Sequence, residues 1–263
     1  MSKKALVVVS FGTSVDVAFP AITNVEDKLK SAFPDHDFFR AFTSKMIIRK
    51  LARTKNIVIS SPEEVFEKLV AGNYEEVICQ PTHIIPGLEY EKMLDMILPY
   101  KDDFKSFCIG KPLLTTEEDY EKVAEIVMQQ VPCPLPEDEA FLLMGHGTRH
   151  AADRTYNKME HVLRDLGYNN AFIGTVEGFP EADYIRRRFV RKGIRKVYMM
   201  PLLIVAGDHA RNDLAGDGED SWQSRMERDG YETEVILKGI GEIDAIAGLF
   251  VEHAKKSLEE PIQ

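Results

Sequence analysis

The chain has 263 residues, of which 44% are hydrophobic and 29% charged, and it carries a formal net charge of −10. This composition is typical of a globular protein with one large or two small domains. The negative charge argues against nucleic acid as a partner, and no apolar run approaches the roughly 20 residues that span a membrane.

The N-terminus, Met1-Ser-Lys-Lys, leads directly into an apolar segment and not toward a small-residue cleavage site, so we expect a cytoplasmic protein. The three cysteines, Cys79, Cys108 and Cys133, lack CxxC spacing, which does not fit a disulfide framework or a zinc knuckle. Cys79 and Cys108 lie in apolar runs and are expected to be buried free thiols.

Short β-branched runs alternate with amphipathic patterns along the whole chain. In chain order they predict strands at 4–10, 37–42, 75–81, 106–109, 140–145, 170–176, 195–201 and 233–237. The helices are predicted at 17–32, 44–54, 62–72, 88–101, 116–130, 150–166, 180–192, 222–229 and 241–257. Continuous apolar strands that alternate with helices are typical of parallel sheets with both faces covered, so the predicted fold class is α/β.

An internal repeat divides the chain into two halves. The segment "AFLLMGHGT" at 140–148 repeats "ALVVVSFGT" at 5–13, and residues 194–209 repeat residues 74–89. We therefore expect two duplicated lobes, each a small parallel sheet with helices on both faces, and an active-site cleft between them. The N-terminal lobe is predicted at 1–130, a proline-rich linker at 131–139 and the C-terminal lobe at 140–263; whether the last helix, 241–257, packs on the N-terminal lobe stays open.

Two histidines and an acid follow strands of the second half. His146 ends strand 140–145, Glu177 follows strand 170–176, and His209 lies just past strand 195–201. Carboxyl ends of parallel strands share one edge, which is where ligands bind in open α/β sheets. Two imidazoles and a carboxylate suit a borderline divalent metal ion, and three ligands leave coordination positions open. The alternative for each histidine is a hydrogen-bonded structural residue.

The first half has different residues at the equivalent places. Phe11 stands where His146 stands in the repeat, and Glu89 stands where His209 does, with Glu91 as a nearby alternative. His83, at the end of strand 75–81, is a weaker candidate for lining the cleft. The segment 40–55 carries six cations and no acid, which indicates either a solvated helix face or a receptor for a small polyanion.

Several phrases of the sequence resemble a known family. "LVVVSFGTS", "FRAFTSKMIIRKL", "THIIPGLEYEKM", "MGHGTRH", "GTVEGFP" and "MPLLIVAGDHARNDLAGDGEDSW" occur in the order found in the cobalt chelatases of the anaerobic cobalamin pathway, over roughly residues 3–255. These are class II chelatases similar in fold to ferrochelatase. The resemblance implies ATP-independent insertion of Co²⁺, the metal substrate, into sirohydrochlorin, without an organic cofactor. It implies metal-site roles for His146, Glu177 and His209, with His146 also the base and Glu89 a second catalytic residue.

The implied substrate is a flat macrocycle with many carboxylates. We expect apolar side chains at strand ends to grip its faces, backbone amides near the first strand to hold carboxylates as nests do, and one cation of the 40–55 segment to attract it. The apolar side chains are those of Phe11, Ile84, Ile85, Met200 and Leu202. The backbone amides are those around Ser10, Gly12 and Thr13, and the cation is Lys45. The expected partners are thus a tetrapyrrole and a divalent metal, with no nucleic acid or membrane; homo-oligomer formation stays open.

Three other interpretations compete with cobalt insertion. The same fold could insert Fe²⁺ or Ni²⁺, because imidazole and carboxylate ligands do not separate these ions. A non-catalytic tetrapyrrole or metal carrier is the alternative outside enzymes. A phosphohydrolase interpretation of "GHGTRH" lacks a second phosphate motif.

Overall fold

Two four-stranded parallel sheets organise the computed structural model, which describes residues 2–259. The strands are β1 (Lys4–Ser10), β2 (Asp37–Phe42), β3 (Glu76–Pro81), β4 (Ser106–Ile109), β5 (Glu139–Gly145), β6 (Ala171–Thr175), β7 (Lys196–Pro201) and β8 (Glu232–Val235). The helices are α1 (Phe19–Ala32), α2 (Lys45–Lys55), α3 (Pro62–Ala71), α4 (Leu88–Ile97), α5 (Glu117–Met128), α6 (Arg154–Asp165), α7 (Ala182–Lys192), α8 (Trp222–Arg228) and α9 (Asp244–Ser257).

The two sheets repeat one topology. The first has the order β2-β1-β3-β4 and the second β6-β5-β7-β8, and every pairing within them is parallel. The central strands are apolar on both faces: Ala5–Val9 and Ala140–Met144 are fully buried. The α/β fold class and the duplication predicted from the sequence are therefore confirmed.

Local sequence signals explain where several helices begin and end. Ser61 and Glu64 form a capping box at the start of α3, and Thr116 and Asp119 form another at the start of α5. Each box satisfies backbone amides that have no partner within the first helical turn. The helix α7 ends at Gly193 with φ +68°, the left-handed conformation that glycine adopts without steric cost.

The predicted strand positions agree with the structure within two residues at each end. A 3₁₀ segment adjoins the α-helix at each of the predicted helices 17–32, 88–101 and 150–166; these segments are Asp16–Ala18, Leu98–Asp103 and Ala151–Asp153. A π-helical turn at Ala210–Leu214 was not predicted. Cys79 and Cys108 are buried free thiols, as expected, and Cys133 is exposed.

Contacts divide the chain into two compact units, one within residues 1–115 and 241–263 and the other Thr116–Ile240. This division differs from the expected boundary at 130 and the expected linker at 131–139. The helix α5 belongs to the second unit because it packs on α6, where Lys158 pairs with Glu117 and lies over the Tyr120 ring. The final helix α9 belongs to the first unit because it packs on α1.

Within residues 2–259, no helix combines the length and the apolar character that crossing a membrane requires.

Candidate metal centre

The three predicted ligands of the second unit follow three neighbouring strands. His146 comes directly after β5, Glu177 shortly after β6, and His209 immediately before the π-helical turn that follows β7. The backbone joins the first two loops, since the Glu177 amide donates to the His146 carbonyl at 2.8 Å. The carboxyl edge of the second sheet thus brings the His146 and Glu177 loops together, as parallel topology predicts.

The two imidazoles are in direct contact. The ring centroids of His146 and His209 are 4.6 Å apart, with the planes at 84°. The Nδ1 atom of His146 lies 3.0 Å from the Gly147 carbonyl, and Nδ1 of His209 lies 2.6 Å from Oδ2 of Asp213. Both oxygens are acceptors, so each Nδ1 carries the proton. This network therefore assigns the free lone pair of both rings to Nε2, the atom available to a metal ion or a proton.

Glu177 is near His146 but is not aligned with the Nε2 atoms. Its Oε2 is 4.0 Å from Nδ1 of His146, the nitrogen that already donates to Gly147. The Glu177 side chain is 60% exposed, so it has room to rotate. Among residues 2–259, no group of three or more His, Cys, Asp and Glu side chains has the arrangement of a metal site. To share an ion with both Nε2 atoms, Glu177 would have to change its side-chain conformation.

Asp153 ties the loops of His146 and Glu177 to each other. Its Oδ1 accepts from the Thr148 amide and its Oδ2 from the Phe179 amide, both at 3.1 Å. Because one carboxylate bridges the two loops, their spacing is held by a specific contact and not by packing alone. This role of Asp153 was missed, since nothing in the sequence distinguishes it from a helix-start acid.

Close packing leaves no room for a Cβ at either glycine that flanks His146. Gly147 has φ +81°, and a Cβ there would lie 2.5 Å from the Gly178 nitrogen and 2.9 Å from Cβ of Thr175. The Tyr156 ring packs where a Cβ of Gly145 would be, and burial raises the pKa of Tyr156 to about 12. Gly147 therefore allows the His146 and Glu177 loops to approach each other, and Gly145 makes room for the Tyr156 ring.

Asp213 is a second residue that sequence analysis missed. It lies one turn after His209, across the π-helical segment, where the Ala215 amide donates to the Ala210 carbonyl at 3.2 Å. A carboxylate on Nδ1 orients a metal-binding imidazole and raises its basicity. The four-residue spacing is a usable signal, but five acids lie between 208 and 220, and the sequence alone does not single out one of them.

The predicted substrate residues of the first unit occupy the carboxyl edge of its sheet. Phe11 is 47% exposed and Lys45 is exposed as the first residue of α2, while Ile84 and Ile85 are half-buried in the turn after β3. Glu89, in the first turn of α4, pairs with Lys92 at 2.6 Å.

The residues near the end of β1 are less accessible. Ser10, Gly12 and Thr13 are buried, with Ser10 Oγ accepting from Thr82 Oγ1 at 2.9 Å. Gly12 has φ +97°, and its Cα faces the Phe42 ring so closely that a Cβ would clash.

Met200 and Leu202 need a correction. Both side chains are fully buried, so neither presents the apolar surface expected to grip a macrocycle. Met200 lies in β7, which is covered on both faces, so its side chain points into packed interior. Leu202 follows β7 directly, and its amide still donates to the Met144 carbonyl of the neighbouring strand.

The basic segment 40–55 is only partly available to a ligand. Arg40 pairs with the buried Glu26, and Lys55 pairs with Asp16. Exposed cations of α2 remain at Lys45, Arg49, Lys50 and Arg53. The positive field expected for an anionic ligand therefore rests on α2.

His83 is half-buried as a residue, but both of its ring nitrogens are shielded from solvent and form no hydrogen bond within the described residues 2–259. Its ring lies edge-on to Tyr90, with centroids 6.1 Å apart. Burial lowers the pKa of His83 to about 4, an effect that nearby Glu89 partly opposes. His83 is therefore neutral at physiological pH.

The family model of the cobalt chelatase CbiK matches residues 4–259. The sirohydrochlorin cobaltochelatase of Salmonella typhimurium is 40% identical over 99% of this chain and 98% of that protein. The sirohydrochlorin cobaltochelatase CbiKC of Nitratidesulfovibrio vulgaris is 31% identical over 96% of this chain and 90% of that protein.

Solved structures show the same fold at low sequence identity. SirB from Bacillus subtilis, solved with Fe³⁺, superimposes with a TM-score of 0.63 at 13% identity, over 97% of this chain and 95% of SirB. CbiX, described as the terminal enzyme for biosynthesis of siroheme in denitrifying bacteria, gives a TM-score of 0.56 at 15% identity, over 97% of this chain and 99% of CbiX.

Proposed function

The chain belongs to the cobalt chelatase (CbiK) family, and from this premise we propose that it inserts Co²⁺ into sirohydrochlorin with the imidazoles of His146 and His209 as its metal-handling groups. The observation that carries these roles is the contact of the two rings at 4.6 Å, with both Nδ1 atoms held by acceptors. Each ring thereby keeps the lone pair of its Nε2, and the two rings lie near enough to each other for a shared ion to be proposed.

His146 and His209 bind incoming Co²⁺ through Nε2, and Glu177 joins them after its side chain rotates. Neutral imidazole and carboxylate are ligands that Co²⁺ accepts. With three protein ligands the ion keeps open positions, which ring nitrogens of the tetrapyrrole then fill. Nothing in this exchange of ligands requires an organic cofactor or ATP.

Metal insertion also releases two pyrrole protons. As Co²⁺ passes to the ring nitrogens, the lone pair on Nε2 of His146 is freed and accepts one of these protons. The pyrrole N–H bond breaks, its electron pair binds Co²⁺, and the proton stays on the imidazole until solvent removes it. Once solvent has removed the first proton, the same Nε2 accepts the second pyrrole proton, and Glu89 of the first unit, the second catalytic residue, assists in proton removal or metal delivery.

The first unit supplies substrate contacts. Phe11, Ile84 and Ile85 offer apolar surface at the carboxyl edge of its sheet, and Lys45 offers a cation at the same edge. Backbone groups near Ser10, Gly12 and Thr13 are proposed to hold carboxylates. Together these features suit a flat, anionic macrocycle.

The test is a spectroscopic assay with the purified protein. Sirohydrochlorin is mixed with Co²⁺, Fe²⁺ or Ni²⁺, and the visible spectrum is followed with and without protein. We expect accelerated metallation with Co²⁺. A faster reaction with Fe²⁺ or Ni²⁺ would reassign the metal, which the ligand types do not decide. Tight tetrapyrrole binding without acceleration by any ion would make the protein a carrier and overturn the proposal.

A further inference from the structure

His83 lies in a turn whose backbone is firmly held. The preceding residue, Thr82, donates its amide to the Val9 carbonyl at 2.9 Å. The His83 carbonyl accepts from the Leu113 amide at 2.9 Å, and the Ile84 carbonyl accepts from the Leu114 amide at 2.8 Å. Because the backbone is fixed on both sides, the position of the imidazole is set by the fold of the first unit.

The hydrogen-bonding capacity of the imidazole is not satisfied within the described residues. Both nitrogens are buried and neither finds a hydrogen-bond partner among residues 2–259. A neutral imidazole has one N–H donor and one lone pair, and each buried polar group without a partner is destabilising. A structural histidine would be expected to use at least one of them.

The duplication shows that the fold does not require a polar residue here. The equivalent residue of the second unit is Leu203, in a turn with the same backbone pattern: the Leu202 amide donates to the Met144 carbonyl at 2.8 Å, and the Leu203 carbonyl accepts from the Ile240 amide at 2.9 Å. Leu203 packs on the apolar core of its unit. An apolar side chain therefore fits this turn, and histidine in the first copy needs another explanation.

The surroundings of His83 indicate the type of ligand. Thr82 Oγ1 donates to Ser10 Oγ at 2.9 Å, so the end of β3 lies beside the end of β1, where Phe11 is exposed. Leu88, also after β3, is 48% exposed, and Lys45 stands at the same sheet edge. Apolar surface with a nearby cation suits a flat anionic ring. The charged neighbour Glu89 is paired with Lys92.

We propose that the half-buried His83 side chain rotates to expose a ring N–H and donates a hydrogen bond from it to an acceptor group of the tetrapyrrole substrate, a role that rests on the function proposed above. The acceptor is a carboxylate oxygen or an unprotonated ring nitrogen, both of which the macrocycle offers. The contact satisfies a donor that is otherwise buried without a partner. His83 then acts in tetrapyrrole binding and takes no part in holding free Co²⁺.

The experiment compares His83→Leu with His83→Asn and His36→Leu. Leucine is the residue of the equivalent turn, and asparagine keeps a donor. His36 is a matched control, because its Nδ1 is also buried without a partner in the described chain, but it precedes β2 at the opposite edge of the sheet. Fluorescence titration measures the Kd for metal-free sirohydrochlorin, thermal unfolding measures stability, and steady-state rates give the KM for Co²⁺.

For His83→Leu we expect a Kd raised about 10- to 100-fold, the range of a hydrogen bond to a charged group. The unfolding temperature should be unchanged or higher, and the KM for Co²⁺ unchanged. His83→Asn should recover part of the affinity, and His36→Leu should bind normally. Titration with the cobalt-loaded product identifies the acceptor: equal weakening for both ligands indicates a carboxylate, and weakening of the metal-free ligand alone indicates a ring nitrogen.

Unchanged tetrapyrrole affinity in His83→Leu would overturn the proposal, as would a loss of affinity that His36→Leu shares. If His83→Leu does not fold, the leucine argument fails. The proposal then fails with it unless His83→Asn folds and binds metal-free sirohydrochlorin more weakly than wild type. Assays of the wild-type protein distinguish a failure of this inference from a failure of the proposed function. Metallation by wild type with no effect at His83 refutes only the inference, and no metallation by wild type refutes the function.

Discussion

Replacing Gly147 by alanine should separate the loops that hold His146 and Glu177. The added Cβ would lie 2.5 Å from the Gly178 nitrogen, where ordinary contacts begin at 3.4 Å, so the loops must move apart by about 0.9 Å. A misplacement of about 1 Å at a reacting centre costs about 100-fold in rate. The φ of +81° adds a backbone cost of about 1–2 kcal/mol to folding.

Gly167→Ala is the matched control for this prediction. Gly167 has φ +89°, but a Cβ there meets no heavy atom within 4 Å. Both variants should lose about 1–2 kcal/mol of unfolding free energy in urea, with a further loss for Gly147→Ala if the steric overlap is not relieved. Only Gly147→Ala should lose about 100-fold in kcat for cobalt insertion, measured from the visible spectrum. Full activity in Gly147→Ala, or an equal loss in Gly167→Ala, would refute this reasoning.

Three further predictions follow from the same contacts. Asp213→Ala should weaken Co²⁺ binding to the metal-free protein about 10- to 100-fold, measured by calorimetry, because His209 loses its Nδ1 acceptor, while Asp208→Ala should bind normally. Lys45→Glu should raise the KM for sirohydrochlorin at least about fivefold at low salt, and by less at high salt, whereas Lys50→Glu, farther along α2, should have a smaller effect. The low pKa of His83 should remove up to about 3 kcal/mol of stability between pH 6.5 and pH 4, because the unfolded chain binds a proton there that the native state does not; His83→Leu should lack this decrease in urea unfolding.

Each of these predictions has a contradicting result. Equal Co²⁺ affinity in Asp213→Ala and wild type would show that the carboxylate does not support His209. A KM in Lys45→Glu that does not respond to salt would remove the electrostatic role of α2. Identical pH profiles of stability for His83→Leu and wild type would show that His83 is not buried as a neutral ring.

The sheet edges could be predicted from the sequence because their signal is local. Continuous apolar runs predict the strands, their alternation with helices predicts parallel sheets, and the repeated phrase predicts the duplication, so the sequence alone assigns His146 and Glu177 to adjacent loops. A continuous apolar run does not show which of its side chains face the interior and which face the surface. This is why Met200 and Leu202 were expected at the surface although both are buried.

Other features depend on contacts that sequence patterns do not encode. Of the five acids at 208–220, Asp213 is the one whose carboxylate contacts His209, because the π-helical turn places it there. No recognised sequence signal predicts that turn. The helix α5 lies before the proline-rich segment 131–139, yet its pairing with α6 places it in the second unit. His83 looked like a minor candidate until the burial of both ring nitrogens was visible.

The most direct test of the metal centre is a crystal structure of the protein soaked with Co²⁺ and recorded with anomalous scattering at the cobalt edge. The account predicts one strong peak about 2.1 Å from Nε2 of both His146 and His209, with the Glu177 side chain rotated toward it. Cobalt bound elsewhere, or bound through Nδ1 of either ring, would contradict the assignment of these imidazoles as the site from which the ion enters the tetrapyrrole.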